Sequence, residues 1–426
     1  MPISHVLVLG AGPAGLAAAL SLSQQPDSPF RITVLEIRSA PGSLGGAIHL
    51  TPLALRYLDR LSDTSASTST TVGARVRSLA CPIRAGIDLV SLRTGASLGT
   101  RWHNTDAVRV RRRDLVASLT EAARARDNIS LRYDVRAVGI RDEEEQRTVF
   151  VDLEGGETVA GDVLLGCDGL HSVARSLYVD PSRQPTYSGR ASAYAFARLD
   201  KPGSTPVVRG DATLVSGRYG SLLAAFCTPE RDELFVAAVM GMPEVAGEGE
   251  SGATAAREGW RARGDDKMKV REDILRRFHG GGVTGLTELI QRADDWTLFP
   301  VYQLPPGGRW SQGRVALLGD AAHAMPPQGE STGVAIEDGV LMARILRRHN
   351  ERTVAQLFDD YEKMRRPPVD KLYRDSVWRW NTAIKEDAGW FGTIVMEWMT
   401  YLFLWFMHYR AEDHFASDVE KLELPQ

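Results

Sequence analysis

The sequence predicts an α/β chain in which a parallel-sheet domain is interrupted by a second, mostly antiparallel sheet and followed by a helical tail. Three observations carry this. Residues 4–36 read strand, glycine turn, helix, strand, the pattern of a βαβ unit. From about 186 to 305 the texture changes to alternating runs such as ASAYAFARL, SLLAAFC and ELFVAAVM, which suit antiparallel strands with one face buried. Gly313-Arg-Val-Ala-Leu-Leu-Gly319 then returns to the strand-to-glycine pattern of the beginning. The second sheet is therefore inserted rather than appended, with expected segments 1–185, 186–305, 306–366 and a helical region 367–426.

Composition agrees with this layout. A chain of 426 residues has room for two to three domains. Its 43% hydrophobic and 25% charged residues are ordinary globular values, which exclude extended disorder, a collagen-like fibre and a disulfide-stapled mini-protein. Lys+Arg 51 against Asp+Glu 54 gives a net charge of -3, so no broad basic field awaits nucleic acid. Cys81, Cys167 and Cys227 lie far apart without metal-ligand spacing. That fits a reducing, cytoplasmic setting and no metal site.

Taken in order, His5-Val-Leu-Val-Leu9 starts almost at the first residue and runs into the glycine turn. It reads as a core strand and not as a secretory leader. AGPAGLAAALSLSQQ is the helix and Arg31-Ile-Thr-Val-Leu-Glu36 the second strand. Residues 63–72, rich in Ser and Thr, read as a surface loop. ISLRYDVRAVGI, RTVFVDLE and ETVAGDVLLG, within 129–166, suggest short antiparallel strands. Helices are expected at 333–349 and 353–366, with a further helical stretch beyond Pro367-Pro368.

Five of the nine tryptophans follow residue 375. They accompany GWFGTIVMEWMTYLFLWFMHY, residues 389–409, which is close to the roughly 20 apolar residues of a membrane span. Glu397 in its middle is costly in lipid. The readings left open are a packed helix (core cover or homodimer face), a helix lying on a membrane surface, which would attach the protein peripherally, and, least favoured, a true span.

Gly10-Ala-Gly12-Pro-Ala-Gly15 has G-x-G-x-x-G spacing between a strand and a helix. The first glycine permits a tight turn, the second lets backbone approach a pyrophosphate, and the third lets helix pack on strand. The helix N-terminus offers N–H groups and a positive dipole end to phosphates. Glu36 ends the next strand 21 residues beyond Gly15, where a carboxylate can accept ribose hydroxyls. A pyridine nucleotide and FAD both fit this fingerprint.

Two further motifs decide between them. Leu318-Gly-Asp320-Ala-Ala-His323-Ala-Met-Pro326-Pro327 follows a strand and leads to Gly329-Glu-Ser-Thr-Gly333 and a helix carrying Glu337-Asp338. Cys167-Asp168-Gly169-Leu-His-Ser172-Val-Ala-Arg175 again follows an apolar strand. With the glycine fingerprint, these resemble the class A FAD-dependent monooxygenases, the family of para-hydroxybenzoate and salicylate hydroxylases and many fungal biosynthetic enzymes, over residues 4–345.

The resemblance implies a Rossmann-type, glutathione-reductase-like FAD domain with an inserted substrate sheet. It places the adenine ribose at Glu36 and carries over Arg112 from an R-x-x-L pattern, Arg112-Arg-Asp-Leu115. Asp320 would bond the ribityl chain, and Asp168 would serve FAD and NAD(P)H handling. Gly45-Gly46-Ala47-Ile48 would lie against the flavin, with Ala47 the contact residue, and Gly333 would fall where a helix N-terminus meets the ring. A reduced flavin is anionic, and a helix N-terminus stabilises such charge. Alternative structural roles are an Asp168–Arg175 ion pair and a His323 packed in its turn rather than moving a proton.

The implied reaction has NAD(P)H reduce FAD, O₂ add as a C4a-hydroperoxide, and one oxygen pass to an aromatic or electron-rich small molecule, such as a secondary metabolite. A reductase or dehydrogenase that does not use O₂, and a non-catalytic flavoprotein binding a partner through its aromatic tail, are the alternatives. Because the cofactor carries the hard step, no catalytic triad is needed. Tyr194, Arg190, Arg218, Tyr219 and Phe226 on the inserted sheet, and His49 after the flavin-facing turn, are candidates for substrate contact; strand alternation lets about half of them face inward. Three departures stand out. Gly329-Glu330-Ser331 replaces the family's usual Gly-Gln-Gly, Gly333 stands at the usual asparagine, and Tyr194 is followed by Ala195 and Phe196 without the common arginine.

Overall fold

A computed structural model describes residues 3–24, 30–42, 45–63, 70–101, 105–245, 253–327, 329–383, 389–409 and 418–425. Of the Ser/Thr-rich segment 63–72, residues 64–69 lie outside these; its ends are not loop, since Asp63 pairs with Thr70 in a short antiparallel ladder and Val72 opens a helix.

Strand β1 (His5–Leu9), helix α1 (Pro13–Ser23) and strand β2 (Arg31–Leu35) form the expected βαβ unit. All five residues of β1 are buried, as befits a central parallel strand covered on both faces. The six-stranded sheet runs in space 129–132, β2, β1, 163–166, 315–317, 311–312. All its pairs are parallel except the last. Strand 315–317, which follows the inserted sheet, pairs with 163–166, which precedes it (Leu164 opposite Val315). The turns after Leu9, Gly166 and Leu317 therefore gather at the carboxyl ends of three adjacent strands, where open α/β sheets bind ligands.

The run 129–140 does not form a single antiparallel strand. Its first four residues join the parallel sheet beside β2, whereas 137–143, 148–153 and 158–161 make a separate antiparallel sheet.

A seven-stranded sheet has the order 294–303, 186–198, 233–241, 220–226, 212–217, 87–91, 97–101. Its last two strands come from outside the interval 186–305, and 87–91 pairs parallel with 212–217. One face buries Ala191, Ala193, Ala195 and Ala197 against the layer containing Trp260, Ile274 and Phe278, from helices 253–265 and 267–278. The other carries a small apolar cluster of Ile87, Ala212 and Ala225 and a group of rings, Tyr194, Phe196, Phe235 and Phe299.

The helix after the sheet departs from expectation. Val354–Ala383 is one 30-residue helix with Pro367 and Pro368 inside it. An interior proline costs roughly 3 kcal/mol. Here Arg365, Val369, Tyr373, Ser376 and Trp380 are all buried along the same helix, and the Ser376 hydroxyl donates to the Pro326 carbonyl at 2.9 Å. Tertiary packing on both sides of the prolines overrides the local break.

Helix Trp390–Tyr409 packs on strand 97–101. Glu397, the acid that argued against a span, accepts from the Ser91 hydroxyl at 2.5 Å and pairs with Arg93 at 2.5 Å. Phe391, Val395, Trp398, Met399 and Leu402 are exposed on the opposite side, so this helix turns an apolar stripe outward. Among the described residues no helix is long and apolar enough to cross a membrane.

Candidate functional site

The glycine turn is built by close approach. Gly10 has φ +105°, and a Cβ there would lie 2.5 Å from the Cys167 carbonyl oxygen, so the first turn rests directly on the Asp168 motif. At Gly15 a Cβ would come within 2.1 Å of the Gly10 oxygen and 3.0 Å of Val8, which fixes how tightly α1 sits on β1. Gly12 differs: a Cβ there would meet nothing within 4 Å. It faces open space at the N-terminus of α1, where no side chain caps the first turn. These N–H groups are therefore available to an anion.

Glu36 is buried at the end of β2 and organises this turn. Its Oε2 accepts from the Ala11 N–H at 2.8 Å and its Oε1 from the Arg38 N–H at 2.9 Å.

Asp168 does not pair with Arg175. Its Oδ2 accepts from the N–H groups of Val173 at 2.6 Å and Ala174 at 3.1 Å, while Oδ1 is enclosed and has no hydrogen-bond partner among the described residues. Burial pushes this carboxyl up against the pull of those hydrogen bonds. Arg175 is buried and spends its donors on carbonyls: Leu170 at 2.6 Å, Ala321 at 2.9 Å and Arg183 at 3.1 Å. The ion pair considered from sequence is replaced by a backbone clamp, because the turn carbonyls lie within reach and Asp168 is already occupied.

Asp320 opens helix 320–323 after Gly319. Protein surrounds it closely, yet its side chain stays exposed, as on the wall of a recess. Burial pushes its pKa up, opposed by nearby His323 and Arg112. Arg112 has its backbone N–H on the Gly46 carbonyl at 2.9 Å, and its side-chain stem covers Gly45. Among the described residues neither the Asp320 carboxylate nor the Arg112 guanidinium has a hydrogen-bonding partner.

His323 is packed rather than poised in the open. Its Nε2 meets Asp338 Oδ2 at 2.6 Å, and its ring lies 5.1 Å from that of Trp310. Asp338 also accepts from the Gly319 N–H at 2.7 Å and pairs with Arg365 at 2.5 Å. Burial pushes the Asp338 carboxyl up, but His323 and Arg365 outweigh it and hold it at about 2.

Gly333 is the third residue of helix Ser331–Leu346, not its first. A Cβ there would meet Ala54 at 3.3 Å and Thr51 at 3.4 Å, so it packs this helix on the helix Pro52–Arg60. Glu330, one residue before the helix, pairs with Arg101 at 3.3 Å and Arg379 at 3.8 Å. The acid that replaces the usual glutamine is thus matched by an arginine from the edge strand and another from the long helix.

Ala47 begins strand β3 (Ala47–Leu50), which pairs with 108–111, placing Ala47 opposite Arg111 and His49 opposite Arg109. Gly46 sits on the Phe235 ring, 2.2 Å from where its Cβ would be, and so joins the two sheets. Tyr194 lies with Phe235, ring centroids 6.0 Å apart, on this shared side. His49 is buried, and burial together with Arg109 and Arg101 holds its pKa well down.

The remaining candidates point elsewhere. Arg190 donates to the Trp380 carbonyl and stacks on its ring at 5.1 Å, tying sheet to helix. Arg218 stacks on Tyr219 at a hairpin tip, with Tyr219 exposed. Phe226 lies in the core shared with the helical layer, under Arg231. Its register places it on the other face, which alternation without a known register could not reveal. Sequence reading also passed over Arg101, Arg109 and Arg379; the one local signal was the alternation Val108-Arg-Val-Arg111, which marks a strand with both arginines on one side.

The gathered turns fit a dinucleotide: an open Gly12, an uncapped helix end and, among the described residues, an Asp168 oxygen, an Asp320 carboxylate and an Arg112 guanidinium without hydrogen-bonding partners. The family model described as FAD binding domain matches residues 4–200 and 307–376, leaving out 201–306. The chain is 31% identical over 390 residues to a phenazine 1,6-dicarboxylic acid hydroxylase from Lysobacter antibioticus, covering 87% of this chain and 88% of that one. It is 27% identical to a salicylate hydroxylase from Pseudomonas putida, covering 88% and 84%. In structure it resembles the Klebsiella pneumoniae HpxO complex with FAD and uric acid, with TM-score 0.72, 21% identity and coverage of 96% and 93%. The choice of FAD that the two later motifs made from sequence is borne out, and the chain belongs to the FAD-binding-domain family as an FAD-dependent monooxygenase of the aromatic-hydroxylase kind.

Proposed function

We propose that this enzyme uses NAD(P)H and O₂ to place one oxygen atom on an aromatic or electron-rich small molecule, such as a secondary metabolite, the second oxygen leaving as water. When bound, FAD supplies the redox chemistry. Gly10, Gly12 and Gly15 would cradle its pyrophosphate at the α1 N-terminus, and Glu36 its adenine ribose. Asp320 and Arg112 would hold the chain between phosphates and ring. Asp168, in the neighbouring turn, would serve FAD and NAD(P)H handling. Gly46 and Ala47 would form the wall beside the ring, and the first turn of helix 331–346, near Gly333, would face the ring's anionic edge.

The substrate would lie between that wall and the ring-bearing face of the seven-stranded sheet, taken with strands 87–101 as the substrate-binding unit. Tyr194 and Phe235 would contact it and exclude water. The single observation that carries this reading is the convergence of three motif turns on adjacent strand ends, opposite an aromatic sheet face. The supporting experiment mixes FAD-loaded enzyme with NADH or NADPH and measures oxygen uptake. Uptake should accelerate when the right aromatic compound is added and yield a product heavier by one oxygen atom. Flavin reduction without substrate-dependent oxygen uptake would favour a reductase instead.

For the tail, the inverted helix 390–409 suggests a contact surface, either a membrane interface or a second copy of the chain. Sedimentation with anionic vesicles, and oligomer size measured with and without Trp398→Ser, separate the two. Loss of neither property in the variant would remove the proposal.

A further inference from the structure

Arg109 stands beside these motifs and belongs to none of them. It lies on strand 108–111, opposite His49 and opposite Cys81 in register, and keeps only 4% of its surface. Its guanidinium sits 6.0 Å over the Phe235 ring, the same ring that meets Gly46. Among the described residues no carboxylate pairs with it, and its Nε is enclosed without an acceptor.

The contrast with its neighbours is informative. Arg111, two residues on and on the same side, pairs with Glu233 at 2.6 Å. Arg101 pairs with Glu330 at 3.3 Å. The interface thus provides a carboxylate for each of those arginines and none for Arg109. The groups around it are neutral: burial, with Arg109 and Arg101, keeps the His49 imidazole unprotonated, and burial pushes the Cys81 and Cys227 thiols up. Burial also draws Arg109 itself down to about 10, which still leaves it cationic at neutral pH. A buried ion without a counter-ion costs several kcal/mol, and an arriving anion removes that cost. The guanidinium fork suits a carboxylate in particular, which it can bind through two parallel hydrogen bonds.

We propose that Arg109 receives a carboxylate of the substrate, with the Phe235 and Tyr194 rings lining the space for the aromatic body that carries it. The inference rests on the monooxygenase reading only in taking the ligand to be the substrate. Arg109 is then a specificity-determining residue supplied by the central strand of the three-stranded sheet 47–50, 108–111, 81–82, not by the inserted sheet that carries Tyr194.

The test uses FAD-loaded enzyme titrated with salicylate and, separately, with salicylamide, a pair differing in the acid. Binding is followed by perturbation of the flavin absorbance. Wild type should bind salicylate at least roughly 10-fold tighter, since a charged hydrogen bond contributes about 1.5–3 kcal/mol. Arg109→Gln should raise the salicylate Kd by roughly 30-fold and leave salicylamide within about threefold. Arg109→Lys should fall between, keeping the charge but losing the fork. Equal affinities in wild type overturn the proposal, as does a glutamine variant that weakens both ligands alike. So does one that shifts the flavin reduction potential while the acid preference stays intact. If the glutamine variant does not hold FAD, an unchanged salicylate Kd in the lysine variant overturns it equally. Oxygen uptake plays no part in this titration. An enzyme that binds the acid through Arg109 but never consumes O₂ would count against the monooxygenase reading and not against Arg109.

Discussion

The Arg175 guanidinium donates to the Ala321 carbonyl at 2.9 Å, across 146 residues of sequence, and so joins the turn after Asp168 to the turn after Asp320. Its other donors hold Leu170 and Arg183 carbonyls, while Arg183 reaches the Ala322 carbonyl at 3.0 Å. Two buried arginines therefore set the spacing of the two acidic motifs. Arg175→Met should strand two buried acceptors and a partly buried one and cost roughly 2–4 kcal/mol of stability. It should also loosen FAD, because Asp168 and Asp320 lose their shared frame. Urea unfolding and the FAD retained after desalting measure both effects. Lysine's three donors sit on one nitrogen and cannot span carbonyls that meet the Nε, Nη1 and Nη2 of Arg175 separately, so Arg175→Lys should recover little.

Gly12 and Gly15 predict opposite phenotypes. Gly15→Ala drives a methyl to 2.1 Å from the Gly10 oxygen, and overpacking of this kind costs roughly 1–3 kcal/mol. The apoprotein should be destabilised before FAD is considered. At Gly12 the added methyl meets nothing within 4 Å. Gly12→Ala should therefore fold with unchanged apoprotein stability and bind FAD at least roughly 10-fold more weakly. Thermal melts of the apoprotein and FAD titration separate the two.

These glycines also show where sequence sufficed. G-x-G-x-x-G, Asp168-Gly169 and Gly319-Asp320 could be placed because each sits at a strand end, and strand ends are read from local apolar runs. The split layout was legible for the same reason. Partnerships at a distance were not. Nothing local says that Arg175 clamps Ala321, that Glu330 is matched by Arg101 and Arg379, or that strands 87–101 edge the second sheet. Phe226 illustrates the limit on a single strand: alternation gives two faces, and only the register shows which one meets the flavin side. In Val354–Ala383 the reading failed differently, because a strong local rule for Pro367-Pro368 lost to packing spread over the whole helix.

Asp338 gives a pH prediction with a definite sign. Its carboxyl is held at about 2 in the folded protein, from an ordinary 3.8. A depressed folded pKa contributes stability above the unfolded value and loses it as pH falls through the folded one. The contribution is of order 2 kcal/mol above about pH 4 and fades toward pH 2. At neutral pH Asp338→Asn should cost about 3–5 kcal/mol, since it leaves Arg365 without one of its two buried acids. The stability gap between wild type and variant, measured by urea unfolding from pH 6 downward, should hold steady to about pH 4 and then narrow. A gap that widens with acid would show that His323 and Arg365 do not act on Asp338 as described.

The C-terminal residues 418–425 are clipped to the FAD side, and two of the clips should differ in strength against intuition. Asp418 binds Arg60 through two hydrogen bonds, at 2.7 and 3.0 Å. Tyr57 offers one hydroxyl, which accepts from the Val419 N–H at 2.9 Å and donates to Glu337 at 3.2 Å. By counting bonds and charges the ion pair looks stronger. Arg60 keeps about a third of its side chain in solvent (35%), and such pairs contribute roughly 0–1 kcal/mol. Tyr57 is fully buried. Removing its hydroxyl strands a backbone donor and a carboxylate that already serves Arg365 at 2.6 Å, a loss of about 1–3 kcal/mol. Tyr57→Phe should therefore lower the urea midpoint more than Asp418→Asn. Added salt should weaken the Asp418 contribution and leave that of Tyr57 unchanged, because screening reaches the pair through its partly exposed Arg60 end and does not act on a buried hydroxyl.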